Sequence, residues 1–68
     1  MRNRIRELRE LARISQTELA RNVRVSRQAI HAIESDRHDP SVRLALRIAR
    51  ELGKTIEEVF DVESIDDD

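Results

Sequence analysis

Between Ser15 and Ser35 the chain reads SQTELARNVRVSRQAIHAIES, and two serines, Ser15 and Ser26, each stand immediately before a short run of helical periodicity. A serine in that place accepts a hydrogen bond from a backbone N–H that the helix leaves unpaired, and a glutamate three residues on returns the bond. Ser15 and Glu18 have this reciprocal spacing, so a helix is predicted from Gln16, and Ser26 opens a second one. Leu19, Ala20 and Val23 make one apolar stripe, and Ile30 and Ile33 another. Helices so short and so close in sequence bury such stripes against each other. Ala20 is small where the backbones approach, and Val25 can plug the gap beneath the turn.

With Ile30 and Ile33 facing inward, the 3.6-residue period turns Arg27, Gln28, His31, Ala32 and Ser35 outward together. Arginine matches the O6 and N7 acceptors of guanine, and glutamine can both donate to and accept from the N7/N6 edge of adenine. Arg27 and Gln28 are thus the pair a helix lying in a DNA major groove would carry at its leading end, with His31 one turn later. An ordinary solvated helix face also carries such residues, but here the caps and the tight turn favour a reader. Helix N-termini expose N–H groups to which a phosphate can bind, which adds Gln16 and Ser26 as phosphate-contact candidates.

Five blocks, IRELRELA, SQTELA, VSRQAIHAIE, DPSVRLALRIARELG and TIEEVF, stand in the order and spacing of the Cro/CI-type, or XRE-type, helix-turn-helix regulators. The chain resembles that family from about Arg4 to Phe60. The resemblance implies an all-α, compact five-helix lambda-repressor-like bundle, in which helices 2 and 3 form the helix-turn-helix and helix 3 lies in the major groove. Carried over by position, it assigns Arg27, Gln28, His31 and Ala32 to bases, Gln16 to a phosphate near the start of helix 2, and Ser35 and Arg37 to phosphates beyond helix 3; Thr17, next to Gln16, is a further phosphate-contact candidate. Arg9 and Glu34 match an internal ion pair tying helix 1 to helix 3. The family usually has glycine before the V-S pair, where this chain has Arg24; a left-handed backbone there costs about 1 kcal/mol and sets an extra cation near a phosphate. Asp36 also stands where glycine is frequent, and aspartate tolerates that conformation better than most residues.

Net charge alone would argue against a nucleic-acid partner, because the chain totals −1. The charge is segregated, however. Residues 1–50 hold 12 basic and 6 acidic residues, net +6, whereas residues 51–68 hold 1 basic and 8 acidic, net −7. A basic body able to track phosphates therefore carries an acidic end that should face away from DNA. Twelve of the 13 cations are arginine, whose planar fork suits phosphate and guanine.

The rest reads as scaffold. Ile5, Leu8, Leu11 and Ala12 form the expected inward face of helix 1, and Ile14 closes its connection to helix 2. Asp39, Pro40 and Ser41 stop and restart the chain before a fourth helix so apolar, from Val42 to Leu52, that it is expected to cross the core, with Gly53 as its C-terminal cap. Thr55 and Glu58 form a second reciprocal cap ahead of Ile56, Val59 and Phe60. Those three residues and Val62 exceed what so small a core needs, which predicts a homodimer through Ile56, Val59, Phe60 and Val62, with a short terminal β-strand pairing near Val62. A chain of 68 residues buries only about 60% of its unfolded surface, so a partner copy would help it.

Residues 1–62 are thus expected to form one DNA-binding domain and residues 63–68 an acidic tail. His31 and His38 lack a third ligand at zinc-site spacing, and the serines serve as caps, so no catalysis, cofactor or metal is expected. With no cysteine and no long apolar run, the expected setting is the cytoplasm, without membrane contact or a small-molecule inducer. The functional expectation is a sequence-specific regulator, a repressor that binds an inverted-repeat operator on double-stranded DNA as a homodimer. The alternative is the antitoxin of a toxin–antitoxin module, disfavoured because little chain after Phe60 is spare for gripping a toxin.

Overall fold

Every helix after the first starts at a hydroxyl cap. Ser15 Oγ accepts from the Glu18 N–H at 3.0 Å while the Glu18 carboxylate accepts from the Ser15 N–H at 3.2 Å, and Thr55 and Glu58 close the same box at 3.1 and 2.9 Å. The Thr55 backbone and hydroxyl hold the Glu58 carboxyl below the usual carboxylate range. Ser26 and Ser41 accept from the Ala29 and Leu44 N–H groups, each at 3.1 Å. The computed structural model describes residues 1–63, and these caps divide them into α1 (Ile5–Leu11), α2 (Gln16–Val23), α3 (Arg27–Glu34), α4 (Val42–Glu51) and α5 (Ile56–Val59). Of the acidic tail expected over 63–68, all but Glu63 lies outside the described residues.

The first four helices stop in one way. Arg13, Arg24, Asp36 and Gly53 have φ of 59°, 65°, 63° and 69°. The residue after each sends its N–H back to a carbonyl five positions earlier: Ile14 to Arg9, Val25 to Ala20, Arg37 to Ala32 and Lys54 to Ala49. This left-handed ending satisfies carbonyls that the last turn leaves open, and only Gly53 adopts it without Cβ strain. Arg24→Gly is therefore expected to stabilise the fold by about 1 kcal/mol, a rise in Tm of roughly 4–8 °C for a domain of this size. Thermal unfolding followed by circular dichroism checks it; an unchanged or lower Tm would show that the Arg24 side chain compensates for its backbone.

Helix α2 packs against both α3 and α4, and α4 packs against α5. The core gathers Leu19 and Val23 of α2, Ile30 and Ile33 of α3, Ile48 of α4, and Ile5, Val59 and Phe60 from the two ends, all essentially sealed from solvent. Val25 and Ile14, each following a left-handed residue, pack against this cluster as expected.

Four expectations need correction. The inward face of α1 is completed by Arg9 rather than Leu11: Leu11 is 76% exposed and Ala12 lies past the helix end, also exposed. Helix α4 does not cross the core. It lies against it along Ala45, Ile48 and Ala49, leaving Val42 81% and Leu46 38% exposed beside an arginine face.

Val59 and Phe60, expected at a dimer interface, are each 1% exposed and belong to the core of one chain. The cause is a pairing of the two chain ends. Residues 2–4 run antiparallel to 59–61, with the Arg4 N–H on the Val59 carbonyl at 2.7 Å and the Asp61 N–H on the Arg2 carbonyl at 2.8 Å. The strand pairing placed near Val62 is thus an intrachain bridge between Asn3 and Phe60, while Val62 and Glu63 enter a 3₁₀ turn with Val62 41% exposed.

Candidate nucleic-acid interface

Burial of Ile30 and Ile33 fixes the rotation of α3, and Arg27, Gln28 and His31 come out exposed on its other side, with Ala32 half-buried beside them. Among the described residues this face carries no carboxylate except Glu34, whose side chain is turned into the protein and 5% exposed. The face thus offers donors and a cation where base edges and phosphates supply acceptors.

A polar chain runs from the scaffold to that face. Arg9 Nε donates to Glu34 Oε2 at 2.9 Å and Nη2 to Oε1 at 3.4 Å, while Nη1 donates to the Ile14 carbonyl at 2.9 Å. Glu34 Oε1 also accepts from Gln16 Nε2 at 3.0 Å, and Gln16 Oε1 accepts from Arg27 Nη1 at 3.4 Å. The ion pair that the resemblance implied for Arg9 and Glu34 is therefore present, and it links α1 to α3. Gln16 is more than a residue at a helix start. Its amide carbonyl accepts from Arg27, and its amide nitrogen donates to Glu34.

Other phosphate candidates divide by the donors they still hold. Thr17 is exposed near the start of α2, and Ser26 uses only its acceptor side in capping, so both hydroxyls can donate. Ser35 cannot, because its N–H and its hydroxyl both donate to the His31 carbonyl, at 3.0 and 2.7 Å. Arg37, exposed two residues on, is the donor this loop presents. Arg24 lies at the far end of α2 from Gln16, with its side chain exposed.

Contacts not foreseen in the sequence hold the loop after α3. The Met1 ammonium lies 2.7 Å from a carboxylate oxygen of Asp36 and 2.7 Å from one of Asp39, and those bonds raise its pKa above the usual value near 8. Asn3 reaches the end of the reader helix, donating from Nδ2 to the Ile33 carbonyl at 2.8 Å while Oδ1 accepts the Ile5 N–H at 3.1 Å. The one local signal for Asn3 is an asparagine two residues before a helix start, a position where its side chain bonds the backbone. No helix of the described residues is long and apolar enough to cross a membrane.

A family model for helix-turn-helix domains matches residues 5–59. A protein described as an uncharacterised helix-turn-helix-type transcriptional regulator of Methanothermobacter thermautotrophicus is 51% identical over 61 residues, 88% of each chain. A protein of the same description from Methanocaldococcus jannaschii is 43% identical over 60 residues, 88% of this chain and 91% of its own. Among solved structures, the restriction-modification controller protein C.AhdI of Aeromonas hydrophila superposes with a TM-score of 0.78 at 30% identity, covering 84% of this chain and 86% of that one. The clp gene regulator ClgR of Corynebacterium glutamicum gives 0.76 at 26% identity over 79% of this chain, which spans 57% of ClgR. With its capped α2–α3 pair and its donor-bearing α3 face, the chain belongs to the XRE-type helix-turn-helix family of DNA-binding transcriptional regulators.

Proposed function

We propose that the protein is a sequence-specific repressor that binds an inverted-repeat operator as a homodimer, with α3 in the major groove. The observation that carries this reading is the leading end of α3: Arg27 and Gln28 are exposed side by side, and Arg27 is held by the Gln16–Glu34–Arg9 chain. Arg27, Gln28, His31 and Ala32 face the bases, while Gln16, Thr17, Ser26 and Arg37 position the domain on phosphates. A two-fold dimer lets two such helices enter successive major grooves, about 34 Å apart. Ile56, half-buried, and Val62, 41% exposed, supply apolar contact for that dimer. Repression then follows from occupying a promoter.

Gln28→Ala is expected to cost about 1–3 kcal/mol on the preferred site and to relax one base-pair position per half-site. Affinity for random duplex should barely change, because Gln28 contacts no phosphate in this reading. Titrations on both duplexes, with circular dichroism to establish folding, decide the matter. Equal losses on the two would remove Gln28 from the base readers.

A further inference from the structure

Helix α2 separates two basic surfaces. Its Gln16 side bonds to α3, and Asn22, roughly 120° around the helix, bonds to Glu51 of α4 at 2.7 Å. On that far side Arg47 and Arg50 of α4 share a cleft with Arg24, the left-handed residue that ends α2. Arg43 continues the α4 stripe, and Arg21 stands on the exposed side of α2. All five are exposed, and none has a carboxylate within ion-pair distance among the described residues. Among the described residues the one acid lining the cleft is Glu51, which accepts from Asn22. Three arginines therefore converge around one carboxylate, which leaves the cleft net positive, and one of them sits on a backbone conformation that disfavours any side chain.

We propose that Arg24, Arg47 and Arg50, extended by Arg21 and Arg43, form a second phosphate-binding surface, which takes duplex DNA backbone outside the stretch that α3 reads. Seven residues separate Arg43 from Arg50, a span of roughly 10 Å along the helix, enough to meet about three successive phosphates of one strand. A protein partner fits less well. Among the described residues the only apolar one lining the cleft is Val23, which is 2% exposed, and no aromatic stands there, so the surface lacks the anchors that protein interfaces use. Polyanion binding needs none. The backbone can come from flanks of the operator duplex or from a second duplex.

This inference rests on the reading of α3 as the base reader, and that reading fails separately if selection from random DNA yields no minimal site. The test compares the full chain with an Arg47→Gln, Arg50→Gln double variant, both changes lying on the solvent face of α4. Three duplexes are used: the minimal selected site, the same site with long flanks, and a labelled random duplex offered to protein already saturated with the minimal site. The variant is expected to stay within about two-fold of the parent on the minimal site. On the flanked site or the captured duplex it should lose on the order of 10-fold or more, with a salt slope shallower by about 2. Loss with flanks alone identifies the operator's own flanks, and loss of capture identifies a second duplex. Three results would overturn the proposal: an equal loss on the minimal site, no loss on any duplex, or charge-dependent binding of poly-glutamate without flank or capture effects.

Discussion

Phe60→Ala is expected to leave the chain largely unfolded at 37 °C. Phe60 is the only aromatic residue in the sequence, it is 1% exposed, and it is clamped from both sides by the pairing of residues 2–4 with 59–61. Truncating a buried phenylalanine costs about 3–5 kcal/mol, and a domain of this length holds roughly 3–10 kcal/mol in all. The cavity would open where the two chain ends close over Ile5 and Val59, so the bridge to Asn3 should loosen with it. Urea unfolding monitored by circular dichroism gives the number. A loss below about 1 kcal/mol would show that the end of the chain is an appendage rather than a wall of the core. Val59→Asp belongs to the same class: it places a carboxylate in the core and should unfold the chain, not release folded monomers.

Glu34→Ala should be nearly as damaging. It strands the guanidinium of Arg9, whose side chain is 12% exposed, and it takes away the acceptor of Gln16. Breaking one side of a buried pair costs about 3–5 kcal/mol, because the remaining charge is left without its partner. Arg9→Ala should cost a similar amount, and the double variant much less than the sum of the two. Additive losses in that cycle would mean that the two residues stabilise the fold independently, against the bonds at 2.9 and 3.4 Å.

The parts legible in the sequence were those decided within a turn or two of chain. Ser15, Ser26, Ser41 and Thr55 announce helix starts because capping is local. The inward rotation of α3 follows from Ile30 and Ile33 for the same reason. The positions where the family usually has glycine, Arg24 and Asp36 here, do take the left-handed backbone, with φ of 65° and 63°.

What stayed hidden depends on pairings across the whole chain. Nothing near Val59 and Phe60 reveals that residues 2–4 return to cover them, so an apolar cluster destined for the core looked like a spare surface. Leu11 looked inward because its periodicity is right, but the buried Glu34 draws Arg9 into that face instead. The apolar count of α4 concealed its arginine face for a related reason: Val42 and Leu46 match a buried stripe in composition while lying outside it.

Selection of bound sequences from a random duplex pool tests most directly whether the exposed end of α3 reads base sequence in a two-fold assembly. The expected result is a motif with dyad symmetry whose half-sites are centred about one helical turn apart, or a multiple of it, and whose enrichment collapses in an Arg27→Ala, Gln28→Ala variant that still folds. A pool that shows no enrichment, or a motif that survives that variant unchanged, would contradict that reading.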